Sequence, residues 1–265
     1  MDLKYFNTNK DFYKSLNQFF YGLNLPFINN GITKPFAAKD FFEKSKNKLI
    51  EIAEFVYPLG EVNEDAFMGQ TSSLFKNELK KSQTDGIVLL GITLSKENPA
   101  KSELNAITRA VNREFDDSPV VVVFKYSNFI SLGNCERTNY AKNQVWREGQ
   151  KAGKVSLLKD VCIEKVHSGH ERILNDLSNI KDFKNIKSFD DLHKYWQSVF
   201  DTSILNNRFY KDIANWFFWA VENVKFPTDA YLDKEKPQEV ANQIAVIRLL
   251  TRFVFVWFIK EKHLV

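Results

Sequence analysis

Residues 99–126, PAKSELNAITRAVNREFDDSPVVVVFKY, decide how the rest of the chain is read. Asn98 suits a helix cap, and Pro99 suits the first helical position, where its missing N–H costs nothing. Leu104, Ile107, Val111 and Phe115 then recur at three- and four-residue steps and make one apolar face. Asn105, Arg109, Asn112 and Arg113 fall on the other side. After the turn residues Asp116, Asp117 and Ser118, the run from Pro119 to Phe124 holds four consecutive valines. Such a run reads as a strand buried on both faces, in the middle of a sheet.

Working outward, Gly86 to Leu94 (GIVLLGITL) reads as a second buried strand. Together the two strands and the helix make a β–α–β unit, with a right-handed crossover expected. Phe129 to Glu136 follows Tyr126 closely enough to form a hairpin with the valine strand. A polar loop covers 137–153, and Lys154 to Ile163 reads as a further strand. The expected first domain, 1–167, is therefore an α/β module with a mixed sheet of four or more strands and flanking helices.

Upstream, Phe12, Leu16, Phe19, Phe20 and Leu23 are spaced as one helix face. Residues 24–36, with Pro26, Gly31 and Pro35, read as loop. A long amphipathic helix is expected from Ala38 to Tyr57, burying Phe41, Phe42, Leu49, Ile52 and Phe55, and ended by Pro58 and Gly60. Residues 61–84 fit no single pattern, although Ser73 to Lys81 suits a short helix.

From Ser168 the strand signals stop, and 168–265 is expected as an all-α connector segment. Ser188 with Asp191 three residues on has the form of a capping box, opening a helix to Val199. Asn206 to Val224 and Gln238 to Leu264 are two more helices. The last contains IAVIRLLTRFVFVWFI, which Arg248 and Arg252 interrupt at its middle. The pattern favours a buried bundle helix over a membrane span. The lack of a stopping glycine after Lys262 and His263 is what a piece of a longer polypeptide would show.

The 265 residues carry a net charge of +4, a mildly basic balance that permits a nucleic-acid partner without requiring one. Cys135 and Cys162 lie in apolar, strand-like settings and read as small buried side chains rather than a disulfide; no Cys-x-x-Cys pair exists. Polar residues Asp2, Lys4, Asn7, Asn9 and Lys10 break up any signal-peptide core, so a cytoplasmic location is expected.

Three constellations bear on function. Asn105, Arg109, Asn112 and Arg113, with Lys125 at the end of the adjoining strand, form either a solvated helix face or a surface for phosphate or a neighbouring domain. His167 and His170 have the spacing of a metal pair but lack further ligands nearby, which favours helix-start histidines. A restriction-type nuclease needs an acidic residue on one strand and an acid-x-Lys pair on the next. Asp85 precedes a strand, yet that strand ends Thr93-Leu94-Ser95-Lys96, and the Glu78-Leu79-Lys80 triplet lies in a helical setting. No catalytic residue is assigned, and no metal ligand.

Several blocks taken together resemble one family: ELNAITRAVNREF with PVVVVFKY, ISLGNCERTNY, KVSLLKDVCIEKVHSGHERILNDL, ILNNRFYKDIANWFFWAVENVKFP and IRLLTRFVFVWFIKEKHLV. Their succession is similar to the N-terminal region of large bacterial single-chain restriction–modification proteins of the type IIG kind, with an adenine-specific methylase, sometimes labelled type I restriction enzymes. The resemblance implies a divergent restriction-endonuclease-like module followed by a helical connector. It also implies a DNA partner, for which Asn105, Arg109, Asn112, Arg113, Lys125 and Arg137 are the candidate contacts by residue type and placement, and a methyltransferase with a target-recognition domain as neighbours. No membrane partner is implied. No cofactor is expected in this portion, with Mg²⁺ entering only if the module cuts DNA. The methylase motif is absent, since Asn98-Pro99 continues with Ala and Lys. The alternative is a non-catalytic interaction module of a restriction or phage-defence complex.

Overall fold

A computed structural model describes residues 2–9, 11–45, 47–70, 79, 81, 86–116, 118–139, 150–179, 186–200, 202–226 and 238–261; at 136–139, 150–153, 202–208, 238 and 261 it describes the backbone alone. The chain divides into two compact units, 1–201 and 202–265.

The first unit opens with α1 (Tyr5–Thr8) and α2 (Phe12–Gly22), then two short strands, β1 (Ile28–Asn29) and β2 (Phe36–Ala37), and a single turn of helix, α3 (Ala38–Phe41). A 3-10 turn at Lys48–Ile50 leads into β3 (Ala53–Val62) and α4 (Glu64–Phe67). The centre is β4 (Ile87–Leu94), α5 (Lys101–Glu114) and β5 (Val120–Tyr126). Strands β6 (Phe129–Asn139) and β7 (Gln150–Cys162) and helices α6 (Ser168–Ser178) and α7 (Phe189–Phe200) complete it.

The seven strands form one mixed sheet in the order β1-β3-β4-β5-β6-β7, with β2 also paired to β3. Its one parallel pair among the described strands is β4 with β5, in the register Val88↔Val120 to Thr93↔Lys125. That pair needs a crossover, and α5 supplies it. On the α5 side, Leu104, Ile107, Val111 and Phe115 meet Val88, Leu90, Ile92, Val120, Val122 and Phe124. On the other side Val121, Val123, Leu89 and Leu132 meet α2 through Leu16, Phe19 and Phe20, and also α6 and α7 through Leu174, Leu177, Leu192 and Trp196. The four valines are thus buried on both faces, and each contributes roughly 1.5–3 kcal/mol by leaving water.

Two glycines set how closely the helices approach. A Cβ on Gly91 of β4 would lie 2.4 Å from Leu16 Cδ1 of α2. One on Gly133 of β6 would lie 2.7 Å from Thr108 Oγ1 of α5.

The structure corrects the long helix expected at Ala38–Tyr57. Among the described residues of that stretch only Ala38–Phe41 is α-helical, with a 3-10 turn at Lys48–Ile50, and 53–62 is a ten-residue strand paired antiparallel with β4. The spacing of Phe41, Phe42, Leu49, Ile52 and Phe55 mimics a helix face, but the unpaired edge of β4 outcompetes it. Pro58 and Gly60 lie inside β3 instead of ending a helix. Pro58 falls between the β2 pairing at Val56 and the β1 pairing at Gly60, beside a register shift, where a missing N–H is tolerated. The α5 start also moves: the cap position is Ala100, whose N–H donates to Glu103 Oε2 at 2.6 Å, and Asn98 does not cap. The short helix expected at Ser73–Lys81 lies outside the described residues but for Leu79 and Lys81.

The capping box forms as expected: Asp191 N–H donates to Ser188 Oγ and Ser188 Oγ–H to Asp191. Helices α6 and α7, expected in the connector, instead belong to the first unit, because the sheet face opposite α5 needs their leucines and Trp196 as cover. The boundary therefore falls at 201 and not at 167.

The second unit is α8 (Thr202–Asn223) with α9 (Gln238–Glu261). Asn242 Nδ2 donates to the carbonyls of Val221 and Val224, fastening the start of α9 to the end of α8. The expectation that α9 is a buried bundle helix does not hold. Phe253, Val254, Phe255, Val256, Trp257 and Phe258 are all exposed, as are Trp216, Phe218 and Trp219 of α8. By length and composition alone, Glu239–Lys260 would reach across a bilayer.

One buried ionic cluster joins the segment after α3 to the end of α5. Glu114 is fully buried; its Oε1 accepts from Lys44 N–H at 2.8 Å, and Lys81 Nζ stands 3.9 Å from Oε2. Lys44 Nζ donates to the Glu114 carbonyl and to Asp116. Removing one side of such a cluster strands the other, so Glu114→Ala is expected to lower unfolding stability by about 3 kcal/mol, with Glu114→Gln costing less because it keeps the acceptor. Urea denaturation of the two variants checks this.

Candidate nucleic-acid interface

The residues singled out for DNA contact do not form one surface. Helix α5 lies on the sheet with Arg109 and Arg113 exposed, four residues apart on its outer side. Neither guanidinium has a salt-bridge partner among the described residues, so both forks are free for phosphate oxygens. Asn105 is half-buried, and its Oδ1 is enclosed without a partner. Asn112 is a correction. It is completely buried, and its Nδ2 donates to the Ser118 carbonyl at 2.6 Å, closing the turn between α5 and β5. It belongs to the fold and has no access to a partner.

Lys125 is separated from the arginines as well. Along β5 the even-numbered residues from Val120 to Tyr126 face α5, while Val121 and Val123 face the other core. The period of two puts Lys125 on the face away from α5. It is half-buried, donates to the Ser127 carbonyl, and burial pushes its ammonium pKa down. Arg137 lies in β6 just past a register shift, and its side chain is outside the described residues. Asp85, Glu78 and Lys80, weighed as nuclease positions, are outside them too.

A second polar group gathers at the end of the sheet where β5 turns into β6. Tyr126 Oη donates to Asp160 Oδ1 at 2.6 Å and lies 2.5 Å from Ser131 Oγ. Asp160 N–H donates to Ser131 Oγ at 3.0 Å, and Lys159 pairs with the Asp160 carboxylate. This inward-turned N–H accounts for the left-handed backbone of Asp160, φ 59° within a strand. Burial first, then the bond to Asp160, raises the phenol pKa of Tyr126 far above its ordinary value. The arrangement clamps the bulge of β7 onto the β5–β6 hairpin. Its one signal in the sequence is an aspartate inside KVSLLKDVCI, since strands disfavour that residue.

The two histidines open α6. His167 Nδ1 accepts from Gly169 N–H as the helix cap, and its ring lies 5.9 Å from that of His170. Burial, and next His167, hold the His170 pKa below its ordinary 6.5, with Asp160 acting in the opposite sense. Among the described residues no group of three or more His, Cys, Asp or Glu side chains is placed to hold a metal.

No family model, curated protein or solved structure matches this chain. What the coordinates define is a class: an α/β protein with a mixed sheet, followed by a helical pair.

Two outcomes follow from the clamp and its neighbour. Tyr126→Phe should cost about 1–2 kcal/mol by removing the bonds to Asp160 and Ser131, read by urea denaturation. The folded state resists protonating His170 whereas the unfolded chain does not, so stability is lost as pH falls below about 6.5. His170→Gln should flatten that slope in denaturation curves collected between about pH 7 and pH 5.

Proposed function

We propose that the chain is the front module of a bacterial DNA restriction–modification protein, with the first unit contacting DNA backbone and the second serving as a connector to a methyltransferase. The observation that carries this reading is the pair of exposed guanidiniums on α5, Arg109 and Arg113, which have no salt-bridge partner among the described residues. Arginine forks spaced one helical turn apart suit neighbouring phosphate oxygens and carry no base specificity. With Asn112 buried and Lys125 on the opposite face, the proposed contact narrows to these two side chains and the half-buried Asn105.

The connector role is supported by α8 and α9, whose exposed aromatic and aliphatic side chains exceed what a lone helical pair in water would show. Lipid suits this surface less well than protein. At the bilayer midplane Arg248 and Arg252 would each cost about 2.5–3.5 kcal/mol, while each Leu, Ile, Phe or Val returns only about 0.3–0.6. The dozen such residues between Glu239 and Lys260 therefore roughly balance the arginines and leave no net drive to insert. A second reading, a non-catalytic interaction module of a defence complex, rests on this same apolar surface and needs no DNA contact.

Retention of a DNA duplex in mobility-shift experiments separates the two. Binding should weaken about tenfold in Arg109→Ala with Arg113→Ala, and the slope of log affinity against log salt should fall by about two. Retention that is unaffected by the double substitution, or absent at low salt, would sink the DNA-contacting role and leave the interaction module standing.

A further inference from the structure

Helix α9 carries a second apolar line besides the one that meets α8. Its buried residues are Ala241, Val246 and Asn242, the last bonded to α8. Val240, Ile244, Ile247, Thr251, Val254 and Phe258 follow one another at alternating steps of four and three, the heptad period of a coiled-coil seam. Successive residues turn by about 100°, so this seam falls about 180° round the helix from the buried three. Val240, Ile247, Val254 and Phe258 are between 39% and 51% exposed, so the seam lies open.

The composition of the seam suits packing. No charge falls on it, since Glu239, Arg248, Arg252 and Lys260 all stand at other positions. Its one hydroxyl is already satisfied: Thr251 Oγ1 donates to the Ile247 carbonyl at 2.9 Å, which leaves the methyl for contact. Turned end for end, the seam complements itself. Val240 comes opposite the second copy's Phe258, Ile244 opposite its Val254, and Ile247 opposite its Thr251. Each layer then sets a larger side chain against a smaller one, whereas parallel pairing would stack Phe258 on Phe258 and Val240 on Val240. With the flanking Phe255 and Trp257, which are also exposed, the seam offers roughly 700 Å² of apolar surface per copy, close to the 800 Å² or so that each partner of a standard interface buries.

We infer that α9 is a dimerisation element, pairing antiparallel with α9 of a second copy of this chain about a two-fold axis level with Leu249. The two-fold makes the contact isologous, so one seam serves as both surfaces and the assembly closes at two copies. The same axis brings Arg248 toward its counterpart at the exposed rim, where water and salt keep the repulsion weak. The inference goes beyond the connector role and does not depend on it. Phe253 and Val256 stay exposed on the other side of α9, open to a further neighbour.

Sedimentation equilibrium of the full chain tests it. A dimer is expected at about 10 µM chain, its dissociation constant raised about tenfold or more in Ile247→Asp with Val254→Asp. Helix content by circular dichroism should stay unchanged in that variant, because neither position faces α8. In a Cys162→Ser background, Ile247→Cys with Thr251→Cys should give a disulfide-linked dimer on mild oxidation, since the axis sets these two positions opposite each other. Val240→Cys with Ile244→Cys should give none, although a parallel pairing would link them. A monomer at every concentration up to about 200 µM, a dimer indifferent to the two aspartates, or linkage through positions 240 and 244 would each overturn the inference. A monomer that floats with phosphatidylcholine vesicles would give the seam to lipid, and one that does not would leave it to a different protein; both count against a second copy.

Discussion

Strand β5 has no face open to water, and the architecture of the first unit follows from that constraint. Four successive valines and Phe124 must be covered on both sides, and the backbone groups at both edges must be paired. Covering one side requires α5, and α5 is also the crossover that lets β4 lie parallel to β5. Covering the other requires elements from distant parts of the chain: α2 from the N-terminus, and α6 and α7 from beyond residue 167. That is why the helices after the sheet belong to the α/β unit, although nothing in their own composition says so.

Buried polar groups fix the connections around this centre. Glu114 anchors the segment after α3 to the end of α5, Asn112 closes the turn into β5, and Tyr126 with Ser131 holds the bulge at Asp160. Each is a short set of bonds in surroundings of low polarity, where a satisfied group rigidifies and an unsatisfied one is costly.

The second unit follows the opposite logic. Its two helices are tied at one end by Asn242, yet the aromatic stretch of α9 faces solvent all the way round. An ordinary amphipathic helix leaves one apolar stripe, which a single neighbour covers. Six consecutive exposed apolar residues need a cover that wraps the helix, and Arg248 and Arg252 disfavour lipid in that role. The proposed connector role rests on that uncovered surface.

The sequence by itself determined the β4–α5–β5 unit, the β5–β6 hairpin, the α7 capping box and the helical character of α8 and α9. These are local: a valine run, a three- and four-residue period, and a Ser–Asp pair each declare their state within a few positions. Tertiary structure decided the rest. The 53–62 segment became a strand because the edge of β4 had backbone groups to pair, a demand invisible in a stretch whose aromatics happen to fall at helical spacing. Of the five residues singled out for DNA whose side chains are described, only Arg109 and Arg113 sit together in the open. Helical period can assign a residue to a face, but only the closure of the turn onto Ser118 buries Asn112, and only the pleat of β5 against its two cores turns Lys125 the other way.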